Sequence, residues 1–179
     1  MKTIKIFFVL FFIGFTVSCS TYNVKYDYDL QANFAEFKTF GWMQIPENAY
    51  MDSLIVERVK NAVNTELKAK GLIISPNDPD FLIAEHLGKK DKIRVTNWGY
   101  GYGSYGRYGR YRGSGGVSAY KYEEGVLILD FVDTKSKKLI WRGSATAVVQ
   151  NVNTPEKSEK LINAAVKAIL KKYPPSSSK

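Results

Sequence analysis

Two apolar runs joined by a short polar connection constrain this chain more than any other feature. Residues 126–133 place Leu127, Leu129 and Phe131 on one face, and residues 139–149 place Leu139, Trp141, Ala145 and Ala147 on one face. A period of two marks a half-buried strand, and Thr134-Lys135-Ser136-Lys137 supplies the polar connection, so the pair predicts an antiparallel hairpin. A lone hairpin is at best marginally stable in water. The rest of the chain must therefore cover its apolar face.

The covering elements are readable from their periods. Tyr22, Val24, Tyr26 and Tyr28 alternate with Asn23, Lys25, Asp27 and Asp29, which predicts a strand. A second short strand is expected over residues 39–43, ended by Ile45-Pro46-Glu47-Asn48. Residues 52–70 carry a helical stripe of Ile55, Val59, Ala62, Val63 and Leu67. Asp52 or Ser53 can cap its start, and Gly71 can close it in a left-handed conformation. Pro76, Asn77 and Pro79 form a turn before a third strand at residues 81–87, which residues 93–98 extend or pair with. A second helix is expected from Pro155 to about Tyr173, with Thr154 as N-cap and Pro155 in the first turn. Its buried stripe would be Leu161, Ile162, Ala165, Ile169 and Tyr173. Pro174-Pro175 stops it, and residues 176–179 are expected to be a disordered tail. Two amphipathic helices and about five strands predict a two-layer α+β domain at 22–175. Its sheet would be mostly antiparallel with both helices on one face, and parallel pairing across the first helix stays open.

The first residues look like an export address. Lys2 and Lys5 precede a compact apolar run at residues 6–15, too short for a membrane-spanning helix, which needs about 20 residues. Thr16-Val17-Ser18-Cys19 then places small residues before the chain's single cysteine, similar to a lipobox. Residues 1–18 are thus expected to be a signal peptide, with Cys19 becoming the acylated first residue of a lipidated 19–21 segment. Thr16 departs from the commoner Leu of a lipobox. Each buried methylene contributes about 0.8 kcal/mol, and one acyl chain anchors only marginally, so durable attachment takes several. The bland alternative is cleavage elsewhere, with Cys19 left as a free thiol. Ser20 in place of Asp points to the outer membrane, facing the periplasm.

Removing Lys2 and Lys5 takes the 26 basic residues to 24 against 17 acidic ones, a net +7. That surplus suits anionic surfaces without naming one. With one cysteine, neither an internal disulfide nor a cysteine-based zinc cluster can form.

Residues 98–116 are of low complexity. Tyr100, Tyr102, Tyr105, Tyr108 and Tyr111 alternate with glycines, and Arg107, Arg110 and Arg112 add charge without a nearby acid. So much glycine raises the entropic cost of ordering, and a mobile loop is expected. Tyrosine and arginine there can stack on rings and bond to anionic groups, which makes these eight residues the candidate binding loop. The pattern resembles arginine-glycine segments of RNA-binding proteins, but the export address argues against nucleic acid. Candidate partners are the membrane through lipid on Cys19, an envelope protein, peptidoglycan or lipopolysaccharide. A partnerless surface insertion is the plain alternative.

No catalytic constellation emerges, and no cofactor or metal site is expected. His86 is the only histidine, predicted as a satisfied, partly buried strand residue beside Leu82 and Ala84. Asp27 with Asp29, and Asp130 with Asp133, are expected to serve turns and strand ends rather than acid–base chemistry. Residues 99–106 lack the Lys-Ser or Lys-Thr pair that closes a phosphate-binding loop. The chain is not expected to be an enzyme.

Several stretches carry a family pattern: Tyr26-Asp27-Tyr28-Asp29, Asn33-Phe34 and Lys38-Thr39-Phe40-Gly41-Trp42, then the helix at 58–71 and Pro79-Asp80-Phe81-Leu82-Ile83. Most specific are Leu127-Ile128-Leu129-Asp130, Asp133 and Leu139-Ile140-Trp141-Arg142-Gly143-Ser144, with Tyr173-Pro174-Pro175 at the end. Together they resemble an exported lipoprotein family known only as a domain of unknown function, DUF4136. Asn33 stands where the family more often has Asp, so no charged role is carried over to it. Glycine-aromatic insertions before the hairpin also occur in such proteins. The resemblance implies an envelope location and an α+β fold, and it implies no activity.

Overall fold

The computed structural model describes residues 22–44, 52–97, 117–149 and 151–175. The leader with Cys19, the break at 45–48, the candidate loop and the 176–179 tail lie outside the described residues.

Six strands and two helices follow in the order β1 (Asn23–Tyr28), β2 (Thr39–Trp42), α1 (Ser53–Ala69), β3 (Ile73–Ile74), β4 (Phe81–Asn97), β5 (Val117–Asp133), β6 (Leu139–Val148) and α2 (Pro155–Leu170). They form one sheet in the order β1-β6-β5-β4-β2-β3. The α+β expectation holds, with six strands rather than about five. β1–β6, β6–β5 and β5–β4 are antiparallel. β2 is parallel to both β3 and β4, because α1 carries the chain back along the sheet before the next strand starts.

Local chemistry explains both helices. Asp52 accepts the Leu54 and Ile55 amides to cap α1, and Gly71 adopts φ 87° beyond its end. Thr154 caps α2 through the Lys157 amide, with Pro155 in the first turn. The buried stripes are rotated slightly from expectation. In α1, Val56 is buried while Ile55 is half-buried. In α2, Val166 and Leu170 are buried while Leu161 and Ile162 are half-buried, because two neighbours, α1 and the sheet, share its surface.

The helices cover one face of the sheet. There Phe40, Phe81, Phe131 and Trp141 cross four strands, with ring centroids 6.2, 4.8 and 4.8 Å apart in succession. Tyr173, just past α2, closes onto Phe131 at 4.8 Å and Trp141 at 5.4 Å. Edge-to-face contact of this kind adds roughly 0.5–1.5 kcal/mol per pair beyond area burial. Gly143 sits beneath the Trp141 ring, where a Cβ would overlap that ring and lie 2.5 Å from Ile169.

One strand face departs from expectation. The β5–β6 register shifts between Phe131 and Val132, since Phe131 faces Trp141 while Val132 faces Leu139. Ile140 is therefore an extra residue in a bulge. It is buried, and Leu139 is 44% exposed instead of sharing the Trp141 face.

β4 and β5 are much longer than the sequence periods suggest. They pair from Phe81↔Asp133 to Asn97↔Val117, whereas β6 accompanies β5 only to Glu124↔Val148. Beyond Asp91↔Glu123 they form a two-stranded ribbon projecting from the sheet. Residues 98–116 join its two strands in sequence.

Candidate functional site

The face opposite the helices carries a polar cluster built by strand alternation. Ala84, Asp130, Arg142 and Asp27 are successive register partners across β4, β5, β6 and β1. Arg142 donates through Nε to Asp130 Oδ1 and through a terminal nitrogen to Oδ2, both at 2.6 Å. His86 Nε2 stands 3.3 Å from the same Oδ2. The Asp130 side chain is only 8% exposed, against 51% for Arg142 and 58% for His86. A carboxylate held in the strand surface thus carries a guanidinium and an imidazole, both facing solvent. Hydrogen bonds to Asp130 hold the Arg142 guanidinium above its ordinary range.

Two expectations are corrected here. His86 is exposed rather than partly buried, and on the face it shares with Leu82 and Ala84 it stands beside Asp130. Asp130 is an ion-pair partner, not a turn residue; Asp133 alone fills that role, accepting from Lys135 N, Ser136 N and the Ser136 hydroxyl. Asp27 and Asp29 serve the strand end and the following turn, as expected, since Asp27 accepts the Tyr28 amide and Asp29 the Gln31 amide. The signal for Asp130–Arg142 was present in the alternation of both strands. It needed the register to be recognised.

A second polar node lies at the end of the sheet away from the ribbon. Asp80 Oδ2 accepts the Lys38 and Thr39 amides, each at 2.8 Å, and the Thr39 hydroxyl at 2.9 Å. These bonds, the Lys38 amide first, hold its carboxyl below the usual carboxylate range. Thr134 donates to the Pro79 and Asp80 carbonyls, so one node ties β2, β4 and the β5–β6 turn. A cleft of about 360 Å³ opens beside it, lined by Asp29, Glu36, Asp80 and Asp133 among others. Its acids are committed elsewhere, Asp29 and Asp133 to turns, Glu36 to the Asn33 side-chain amide and Asp80 to β2. Among the described residues, no group of three or more metal-ligating side chains is placed to hold an ion.

Beneath α1, Glu85 is buried at 6% exposure with Lys60 Nζ 3.8 Å from its Oε1, too far for a hydrogen bond. Oε1 has no hydrogen-bond partner, and desolvation pushes the carboxyl up. Lys60 also lies 5.4 Å from the Trp42 ring, whose Nε1 donates to Asn64 at 3.0 Å. Another cleft, about 670 Å³, runs between α1 and α2 and is lined by polar residues such as Arg58, Asn61 and Lys160. His86, Asp130 and Arg142 line neither cleft.

The ribbon is the remaining feature. Lys90 and Lys92 alternate on the side away from the helices, with Glu124 and Tyr122 as their register partners. Arg94 has the register position opposite Tyr120. Lys89, Lys90, Lys92 and Tyr120 are exposed. The alternation of Lys90 with Lys92, and of Tyr120 with Tyr122, was a strand signal that the neighbouring glycine-rich segment masked. The eight candidate loop residues and Cys19 lie outside the described residues.

A family model for the domain of unknown function DUF4136 matches residues 24–175, which is most of the chain. The chain belongs to this family. No curated protein matches it. Among solved structures, this DUF4136 domain is similar to a PDZ domain protein from Parabacteroides distasonis, with 16% identity and a TM-score of 0.57. The alignment covers 87% of this chain and 36% of that one, so the domain spans about a third of its neighbour's length, and the likeness is one of fold. A PelC dodecamer from Paraburkholderia phytofirmans matches at 11% identity and a TM-score of 0.42, over 83% of this chain and 94% of that one. Within the described residues of the DUF4136 domain, no helix is long and apolar enough to cross a membrane.

Proposed function

We propose that this DUF4136 protein is a lipid-anchored bacterial envelope lipoprotein, attached through Cys19 to the outer membrane and facing the periplasm. Its role there is structural, scaffolding or binding rather than catalytic. The observation that carries this is the order of chemistry at the start. Two lysines, a short apolar run and small residues lead to the single cysteine, and β1 begins at Asn23, four residues later. A domain that starts so close to an acylated residue is held at the bilayer surface, which raises its effective concentration for neighbouring partners. Labelling cells with an alkyne palmitate analogue tests this. Wild-type chain should take up label and fractionate with the outer membrane, and Cys19→Ser should do neither. Unlabelled wild type, or Cys19 found unmodified by mass spectrometry, overturns it.

A second reading makes the protein a polyanion-binding module acting through Tyr100, Tyr102, Tyr105, Arg107, Tyr108, Arg110, Tyr111 and Arg112. It is favoured by the long β4–β5 ribbon, whose ends this segment joins in sequence. Changing Arg107, Arg110 and Arg112 together to Ser should abolish recovery on peptidoglycan or lipopolysaccharide. Undiminished recovery, or no binding by wild type, removes this reading.

A further inference from the structure

We propose that the β4–β5 ribbon is a second membrane contact, whose lysine-and-tyrosine side rests on anionic phospholipid headgroups. It is the bilayer that holds Cys19, so the inference rests on the lipoprotein reading above.

The register places the start of β1 and the ribbon at the same end of the sheet. Asn23, Thr146, Val126 and Gly88 lie in one row across β1, β6, β5 and β4. β1 runs away from the ribbon, so the chain leading back to Cys19 departs on the ribbon's side. From Asn23 to Cys19 it can reach at most about 14 Å, at about 3.6 Å per residue. From the same row to Asn97 the ribbon extends roughly 30 Å, at about 3.4 Å per residue. The tether is shorter than the arm. With Asn23 held that close to the headgroups, the ribbon at the same end of the sheet comes within reach of them when its strands lie along the surface.

The chemistry of the arm suits that position. Lys90 and Lys92 are exposed on one side, beside Lys89 on the other. Tyr122 registers with Lys92, and Tyr120 follows at 59% exposure. Lysines are drawn to anionic headgroups, and tyrosine places an apolar ring and a polar hydroxyl at the interface. The acids are distributed consistently with this. Glu124 is the one acid among these partners on the Lys90 side and accepts from the Tyr122 hydroxyl at 3.3 Å, while Asp91 and Glu123 pair on the other side. Acyl chains already retain the protein, so the ribbon's effect is to orient the domain.

The test uses the full chain, purified with its acyl groups and checked by mass spectrometry. A single cysteine is introduced at Lys92→Cys, or at Lys135→Cys in the β5–β6 turn at the other end, and labelled with a fluorophore. Each protein is reconstituted into phosphatidylethanolamine vesicles with or without phosphatidylglycerol, carrying a headgroup-level spin-labelled lipid as quencher. Quenching at position 92 should exceed that at position 135 several-fold with phosphatidylglycerol present, and fall when Lys90 is also changed to Ser. Equal quenching at both positions on acylated protein overturns the ribbon contact alone. Unmodified Cys19 overturns this inference together with the lipoprotein reading.

Discussion

Arg142 grips Asp130 with two hydrogen bonds of 2.6 Å, side by side on the sheet face that carries neither helix. The two ends of the bond are unequal, because the carboxylate is 8% exposed and the guanidinium 51%. Removing Arg142 leaves a nearly buried carboxylate with only the His86 imidazole 3.3 Å away, whereas neutralising Asp130 releases a cation that water already reaches. Arg142→Ala should therefore cost about 2–3 kcal/mol and Asp130→Asn about 1 kcal/mol. Urea unfolding of both variants checks the order, and equal losses would contradict it.

Gly143 should accept no side chain. A methyl there overlaps the Trp141 ring and Ile169, both fixed in the core. Gly143→Ala is expected to lose about 2–3 kcal/mol by overpacking and to alter the near-ultraviolet circular dichroism of Trp141. An unchanged spectrum with unchanged stability would show that the ring can move aside.

Tyr173 closes the aromatic cluster at 2% exposure. Tyr173→Ala should cost about 3–5 kcal/mol, as for other large aromatic truncations in cores. Deleting residues 176–179 should leave the thermal midpoint unchanged, and deleting 171–179 should lower it sharply.

The acid response has opposite contributions from two carboxyl classes. Asp80 and Asp133 sit below their ordinary range, Asp80 through the Lys38 amide first and Asp133 through the Ser136 hydroxyl first. Their stabilisation is complete above the unfolded value of about 4 and is lost as pH falls through the folded values. Asp80→Asn should shift the acid unfolding midpoint upward and blunt its steepness.

Glu85 behaves in the opposite sense. Desolvation raises its folded value, so its contribution is most favourable below about pH 4 and is lost as pH rises through the folded value. Glu85→Gln should stabilise the protein at pH 7, with the difference narrowing as pH falls towards 4. A constant difference across that range would show that the charge is compensated, by Lys60 at 3.8 Å or by water.

What is local in this protein is written in its sequence. Asp52 and Gly71 bound α1, Thr154 and Pro155 start α2, and the alternation of Leu127, Leu129 and Phe131 marks β5, because caps and periods depend on residues a few positions apart. The family was legible for the same reason, in runs such as residues 139–144. Registry over distance was not. That Ile140 rather than Leu139 enters the core depends on a bulge, and the Val56 stripe depends on the surfaces packed against α1. That Asp130 meets Arg142 and His86 depends on three strands being aligned. The reach of β4 and β5 past β6, and the departure of β1 from the ribbon's end of the sheet, are decided only when the six strands take their order. Backbone pairing across a sheet costs loop closure first and returns energy only through partners distant in sequence, and one strand's residues do not name them.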